Sequence, residues 1–180
     1  MASFYFPCPA NLAMFCSSVP PPSILKNILF GLLLAAAPLS AQIIISEFMA
    51  DNDSFLADDD GAFSDWIEIQ NSGTTIIPLD GYHLTDDAAN PTKWTFPSLS
   101  LNPGAALVVF ASNQDRTDPA ATLHTNFKLS SSGEYLALIA PDGATVASEF
   151  APAYPPQFPN ESFGFGTPGS SNQINITPTW

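Results

Sequence analysis

The chain reads as an all-β, antiparallel sandwich set behind a cleavable leader, on three grounds. Short runs of β-branched and aromatic residues recur after residue 42, at intervals of roughly 8–12 residues, which suits a sandwich or barrel better than a βαβ fold. Turn-forming residues separate the runs. No stretch past the leader keeps the 3.6-residue apolar period of a helix.

The leader comes first. Lys26 precedes the apolar run Ile28-Leu29-Phe30-Gly31-Leu32-Leu33-Leu34-Ala35-Ala36-Ala37, and Pro38-Leu39-Ser40-Ala41 follows. A positive charge, an apolar segment of about 7–15 residues and small residues at the cut make a signal peptide. Cleavage is expected after Ala41, with Ala37 as the alternative because Leu39 is a poor fit three residues before the cut. The run is shorter than the roughly 20 residues needed to span a bilayer, so no stable membrane insertion is expected once the leader is removed. Met14 offers a second start site. Cys8 and Cys16 both precede the apolar run, so neither is placed for lipidation, and the processed domain carries no thiol or disulfide.

Each later run then has its own reason. Ile43 to Phe48 is short and β-branched. Asp65-Trp66-Ile67-Glu68-Ile69 alternates, putting Ile67 and Ile69 on one face and Trp66 with Glu68 on the other, and it stops at Asn71-Ser72-Gly73. Thr75–Leu79, Tyr82–Thr85, Lys93–Phe96 and Ala106–Ala111 follow, with Asn102-Pro103-Gly104 as a tight turn before the last. Tyr135–Ala140 and Thr145–Phe150 flank Pro141-Asp142-Gly143 as a hairpin. The short connections imply antiparallel neighbours. Residues 1–41 are thus the leader, 42–166 the domain, and 167–180, opening with Thr167-Pro168-Gly169-Ser170-Ser171-Asn172, a linker-like tail.

Charge narrows the partners. The chain has 17 Asp and Glu against 4 Lys and Arg. All the acids lie at Glu47 or later and Lys26 lies before them, so residue 42 onward has a formal net charge of −14. Such a surface repels phosphate backbones, and no nucleic-acid binding is expected. Cations and basic surfaces suit it.

Five blocks, taken together in this order, resemble the lamin tail domain in the form carried by secreted bacterial proteins. They are Asp65 to Asn71, Gly81 to Asp87, Lys93 to Pro97, Leu107 to Ser112 and Asn126 to Leu138. The resemblance spans about Ile43 to Gly166. It implies an immunoglobulin-like sandwich, an exported chain, and placement beside hydrolase or surface-associated domains in longer proteins. In animal lamins the related domain binds protein partners. The family shares no catalytic residues, so the resemblance implies no enzyme.

Two candidate sites follow from the residues. Asp51, Asp53, Asp58, Asp59, Asp60 and Asp65 crowd one loop with Asn52 and Gly61. Calcium takes about 6–8 oxygen ligands, and such a loop could supply several. It is not an EF-hand, because Gly61 in the glycine position would make Leu56 and Ile67 the first and last ligands. The alternative is a solvated acidic loop. Trp66, Tyr82 and Trp94 could stack on a sugar, or pack in the core as sandwich aromatics usually do. His83 and His124 have no close-spaced ligand partner for zinc. Ser130-Ser131-Ser132-Gly133 resembles a polar turn rather than a nucleophile elbow. The expectation is an exported, non-catalytic module, extracytoplasmic, that binds a protein or cell-surface partner through the loops at residues 51–65 and 86–92. It needs no cofactor beyond a calcium ion, should the acidic loop hold one. The alternatives are the front module of a larger secreted enzyme or surface protein, or a calcium- or carbohydrate-binding module.

Overall fold

The computed structural model describes residues 43–165 and the backbone of residues 173–176. The expected leader, with its start and cleavage sites, lies outside the described residues, as does most of the expected tail. In chain order the strands are β1 (Ile43–Met49), β2 (Asp65–Asn71), β3 (Ile77–Pro78), β4 (His83–Thr85), β5 (Trp94–Thr95) and β6 (Ser100–Leu101). The second half adds β7 (Ala106–Ala111), β8 (Leu123–His124), β9 (Leu136–Ile139), β10 (Val146–Phe150), β11 (Ser162–Phe165) and β12 (Gln173–Ile176). The described residues contain no helix, and so none long and apolar enough to cross a membrane.

A six-stranded sheet runs β12-β11-β1-β2-β7-β8, a four-stranded sheet runs β10-β9-β4-β5, and β3 pairs with β6 as a small third sheet. Ile45, Phe48, Ile67, Ile69 and Val109 of the larger sheet share one buried core with Leu84, Trp94, Leu136, Leu138 and Phe150 of the smaller one. The Phe48 ring meets Phe150 edge-on at 5.0 Å across this layer. This is an immunoglobulin-like β-sandwich.

Local sequence sets the phase of each strand. The pairing of β1 with β2 slips between Ile45 and Glu47, and the bulge at Ser46 resets the alternation. Ile43 and Ile45 point to the core before it and Phe48 after it, which leaves Glu47 opposite Glu68. At the foot of β2, Asn71 is fully buried. Its amide donates to the Thr75 carbonyl at 2.8 Å and the Leu101 carbonyl at 3.0 Å, and its oxygen accepts from Gly73 N–H at 2.9 Å. The turn before β7 forms as expected: Ala105 N–H donates to the Asn102 carbonyl at 3.0 Å, and Gly104 takes the positive φ of 75° that this turn asks of its third residue. The β9–β10 hairpin also forms, with Asp142 accepting from Ala144 and Thr145 N–H.

One feature departs from the sequence reading. The pairing of β7 with β8 is parallel, because the connection over residues 112–122 is long enough to cross back rather than turn tightly. Gln173–Ile176 pairs antiparallel with β11 at the edge of the larger sheet.

Candidate functional site

The loop between β1 and β2 is organised by the side chain of Asn52, which is 5% exposed. Its amide donates to the carbonyls of Leu56 and Ser64, each at 2.7 Å, and its oxygen accepts from Phe55 N–H at 3.0 Å and Leu56 N–H at 3.2 Å. An Asn flanked by turn residues mimics backbone in this way. The loop is thereby folded back over the outer face of the large sheet. There Phe55 and Leu56 pack on a second small core of Met49, Trp66 and Phe110.

That packing corrects the reading of the aromatics as a sugar platform. Trp66 does point away from Ile67 and Ile69, but the loop roofs that face and leaves the ring fully buried. Trp94 is buried in the main core, with the Phe96 ring edge-on to it at 4.9 Å. Tyr82 is half-buried against the same core. The three rings make no exposed stacking face.

The six aspartates do not converge on one point either. Asp51, Asp53 and Asp65 line a polar cavity of about 240 Å³ together with Ser112 and Lys128. Burial, with the nearby charge of Asp51 adding to it, pushes the Asp65 carboxyl up to about 6. Asp58, Asp59 and Asp60 belong to a separate group beside Arg116 and His124. Asp58 Oδ1 accepts from Asp60 N–H at 3.0 Å and Ala62 N–H at 2.8 Å, which closes a turn. The Arg116 guanidinium donates to Asp59 Oδ1 at 2.8 Å and to Asp60 Oδ2. Despite partial desolvation, hydrogen bonds from Thr122 and the Arg116 charge hold the Asp59 carboxyl below its usual range. The split has a local cause: Asn52 ties the loop at Leu56 and Ser64, which gathers its two ends, with Asp51, Asp53 and Asp65, and leaves the stretch from Asp58 to Asp60 between them as a separate group.

His124, expected to be only structural or exposed, sits in this second group. It is completely buried on β8, its ring stacked on Phe110 at 5.5 Å. Nδ1 lies 2.8 Å from Ser112 Oγ, and Nε2 lies 3.9 Å from Asp59 Oδ1. Burial first, and then the Arg116 charge, holds the imidazole below its usual range, which favours the neutral ring. Sequence spacing could not reveal this neighbour, because 64 positions separate it from Asp60 and only the parallel β7–β8 pairing brings it in.

Backbone and side-chain bonds tie the neighbouring loops to this end. Asn160 Oδ1 accepts from Asp53 and Ser54 N–H at 3.1 and 2.9 Å. Asp115 N–H donates to the Thr125 carbonyl at 3.0 Å. The Asn126 amide donates to the Lys93 carbonyl at 2.7 Å, and Lys93 pairs with Asp86 at 2.6 Å. The loop at residues 86–92 is therefore linked to the acidic loop through the segment at residues 112–126. Ser130, Ser131 and Ser132 do lie at a turn, as their composition suggests, while the hydroxyl beside His124 is that of Ser112.

An antiparallel sandwich with one conspicuous loop end is the frame of many recognition modules. The model of the Lamin Tail Domain family matches residues 36–151, more than half of the chain, and the protein belongs to that family. No curated protein matches the chain.

Proposed function

We propose that the protein is an exported, non-catalytic interaction module whose acidic loop end binds a cationic protein or cell-surface partner. The observation that carries this reading is the loop end itself. Asn52, Asn160, Arg116 and Asn126 lock several loops into a fixed, net-negative surface, and a rigid surface binds without a large ordering cost. Phe63, 47% exposed, lies at the rim of the cavity lined by Asp51, Asp53 and Asp65, giving an apolar anchor within a negative field. Export is supported by Lys26, the apolar run after it and the small residues ending at Ala41. The non-catalytic reading is supported by the enclosure of His124, whose ring has no exposed surface, and by a family resemblance that brings no catalytic residues.

The test uses the full chain expressed in the cells that encode it. Processing is read by N-terminal sequencing of the extracytoplasmic protein, and binding by retention of the purified protein on the isolated cell envelope. Cleavage near Ala41, retention that falls steeply with added salt, and a loss of at least about tenfold in retention for Asp53→Asn with Phe63→Ser are expected. An unprocessed cytoplasmic protein, or retention indifferent to both salt and the double substitution, overturns the proposal.

A further inference from the structure

Two buried polar atoms at the loop end have no hydrogen-bond partner: Asp58 Oδ2 and His124 Nε2. Asp58 is 8% exposed and His124 not at all. An orphaned buried acceptor costs about 1–3 kcal/mol, so two of them facing the same space call for an occupant. One ligand atom each from Asp58, Asp60 and His124 falls within 4.8 Å of the others.

We propose that Asp58, Asp60 and His124 form a binding site for a divalent transition-metal ion of the zinc or manganese class. Ligand bonds of about 2.0–2.2 Å place atoms around one ion up to about 4 Å apart. Asp58 and His124 are fixed by packing, whereas the Asp60 side chain is 56% exposed and can rotate inward to close the remaining gap. The three carboxylates of Asp58, Asp59 and Asp60 with the Arg116 guanidinium carry a formal charge of −2, which one divalent ion neutralises. Arg116 keeps its hold on Asp60 through Oδ2 while the other carboxylate oxygen turns to the ion. Asp59 Oδ1, already 3.9 Å from the imidazole, or water completes the coordination.

The surroundings suit this chemistry. A metal-bound histidine generally donates its second ring N–H to an oxygen that fixes the tautomer. Ser112 Oγ stands at Nδ1 for that role, leaving the Nε2 lone pair facing the carboxylates. Imidazole with carboxylates selects transition metals, whereas calcium takes an all-oxygen shell. The site therefore differs from the calcium loop suggested by the aspartates alone: it uses two of those six residues and adds a histidine from another strand. It is also independent of partner binding. An ion here would staple the β1–β2 loop, through Asp58 and Asp60, to β8.

The experiment is a titration of the metal-free chain with Zn²⁺, Co²⁺ and Ca²⁺ at neutral pH, with nitrogen-15 NMR of the imidazoles. Saturable one-to-one binding of Zn²⁺ and Co²⁺ is expected, at least about tenfold tighter than Ca²⁺, with a large shift of His124 Nε2 and none of His83. Asp60→Asn, which leaves the Arg116–Asp59 pair in place, weakens Zn²⁺ binding by at least about tenfold, while Asp53→Asn leaves it unchanged. His124→Gln abolishes the preference for Zn²⁺ over Ca²⁺. The proposal is overturned if Zn²⁺ does not saturate one site, if His124 Nε2 does not move, or if Asp60→Asn binds Zn²⁺ like the parent.

Discussion

Tyr154 and Ser130 are joined by two hydrogen bonds running in opposite directions. The Ser130 N–H donates to Tyr154 Oη at 3.1 Å, and the Tyr154 hydroxyl donates to the Ser130 carbonyl at 2.9 Å. Glu134 Oε1, 3.1 Å from the same hydroxyl, also accepts from Ser130 N–H at 2.8 Å. Burial and the Glu134 charge keep the phenol protonated far above its usual range. The tyrosine thus fastens the turn before β9 to the segment after β10. Gly133 permits the close approach, since its φ is 92° and a Cβ there would lie 2.3 Å from the Tyr154 carbonyl oxygen. Removing only the hydroxyl, by Tyr154→Phe, is expected to cost about 1–2 kcal/mol, seen as a lower urea midpoint with an unchanged slope.

Asn52 supports the whole acidic loop, so Asn52→Ala should loosen it. The Leu56 and Ser64 carbonyls would lose their donor, at a cost of about 1–3 kcal/mol in global stability. Amide exchange at Phe55 and Leu56 should accelerate more than exchange in β9. Uniform acceleration throughout the domain would show that Asn52 does not act locally.

The Asp65 carboxyl, pushed up to about 6 from an ordinary 3.8, ties stability to pH. Between these values the folded state holds a proton that the unfolded chain has released. The contribution of Asp65 to stability is therefore greatest below about 4, declines as the pH rises through about 6, and is level above it. Asp65→Asn should flatten that limb and stabilise the domain at pH 7 by about 1–2 kcal/mol, given about 1.4 kcal/mol per pK unit and some solvent screening. Thermal melting at pH 4.5 and 7 reads the difference directly.

Glu47 stands opposite Glu68 in the β1–β2 register, each 9% exposed. Glu47 Oε1 is buried without a partner, and burial raises its pKa, with the Glu68 charge adding to the effect. Like charges facing each other across a strand pair cost roughly 0.2–1 kcal/mol. Glu47→Gln should therefore stabilise the protein at neutral pH, and the gain should fade in acid as Glu47 becomes protonated. Equal gains at pH 3.5 and 7 would rule out a charge effect.

Strand identity was legible because local chemistry dictates it: Ile67 and Ile69 alternate inward, and Asp142-Gly143 makes the hairpin. Of the two-residue strands, β3 and β5 fall within longer runs that the sequence shows, whereas β6 and β8 carry no period of their own and only their partners define them. Trp66 shows the other limit. Alternation placed it on the correct face, but nothing in its own strand says that Phe55 and Leu56 return to cover it. The acidic loop was visible as composition, while its division into two groups depends on which carbonyls Asn52 reaches. His124 belonged to no local pattern, because its neighbours come from a distant loop.

Lys93, Arg116 and Lys128 are the basic residues among the described positions, and each lies against an acid. Lys93 pairs with Asp86, Arg116 pairs with Asp59 and Asp60, and Lys128 lines the cavity with Asp65. A second copy approaching from solution therefore meets little positive charge to which its own carboxylates could attach. Copies repel one another beyond the range at which apolar patches could touch, about 8–10 Å at physiological salt. The module should tolerate crowding on a surface or concentration in a fluid without clumping, and should lose that tolerance in acid as its carboxylates become neutral.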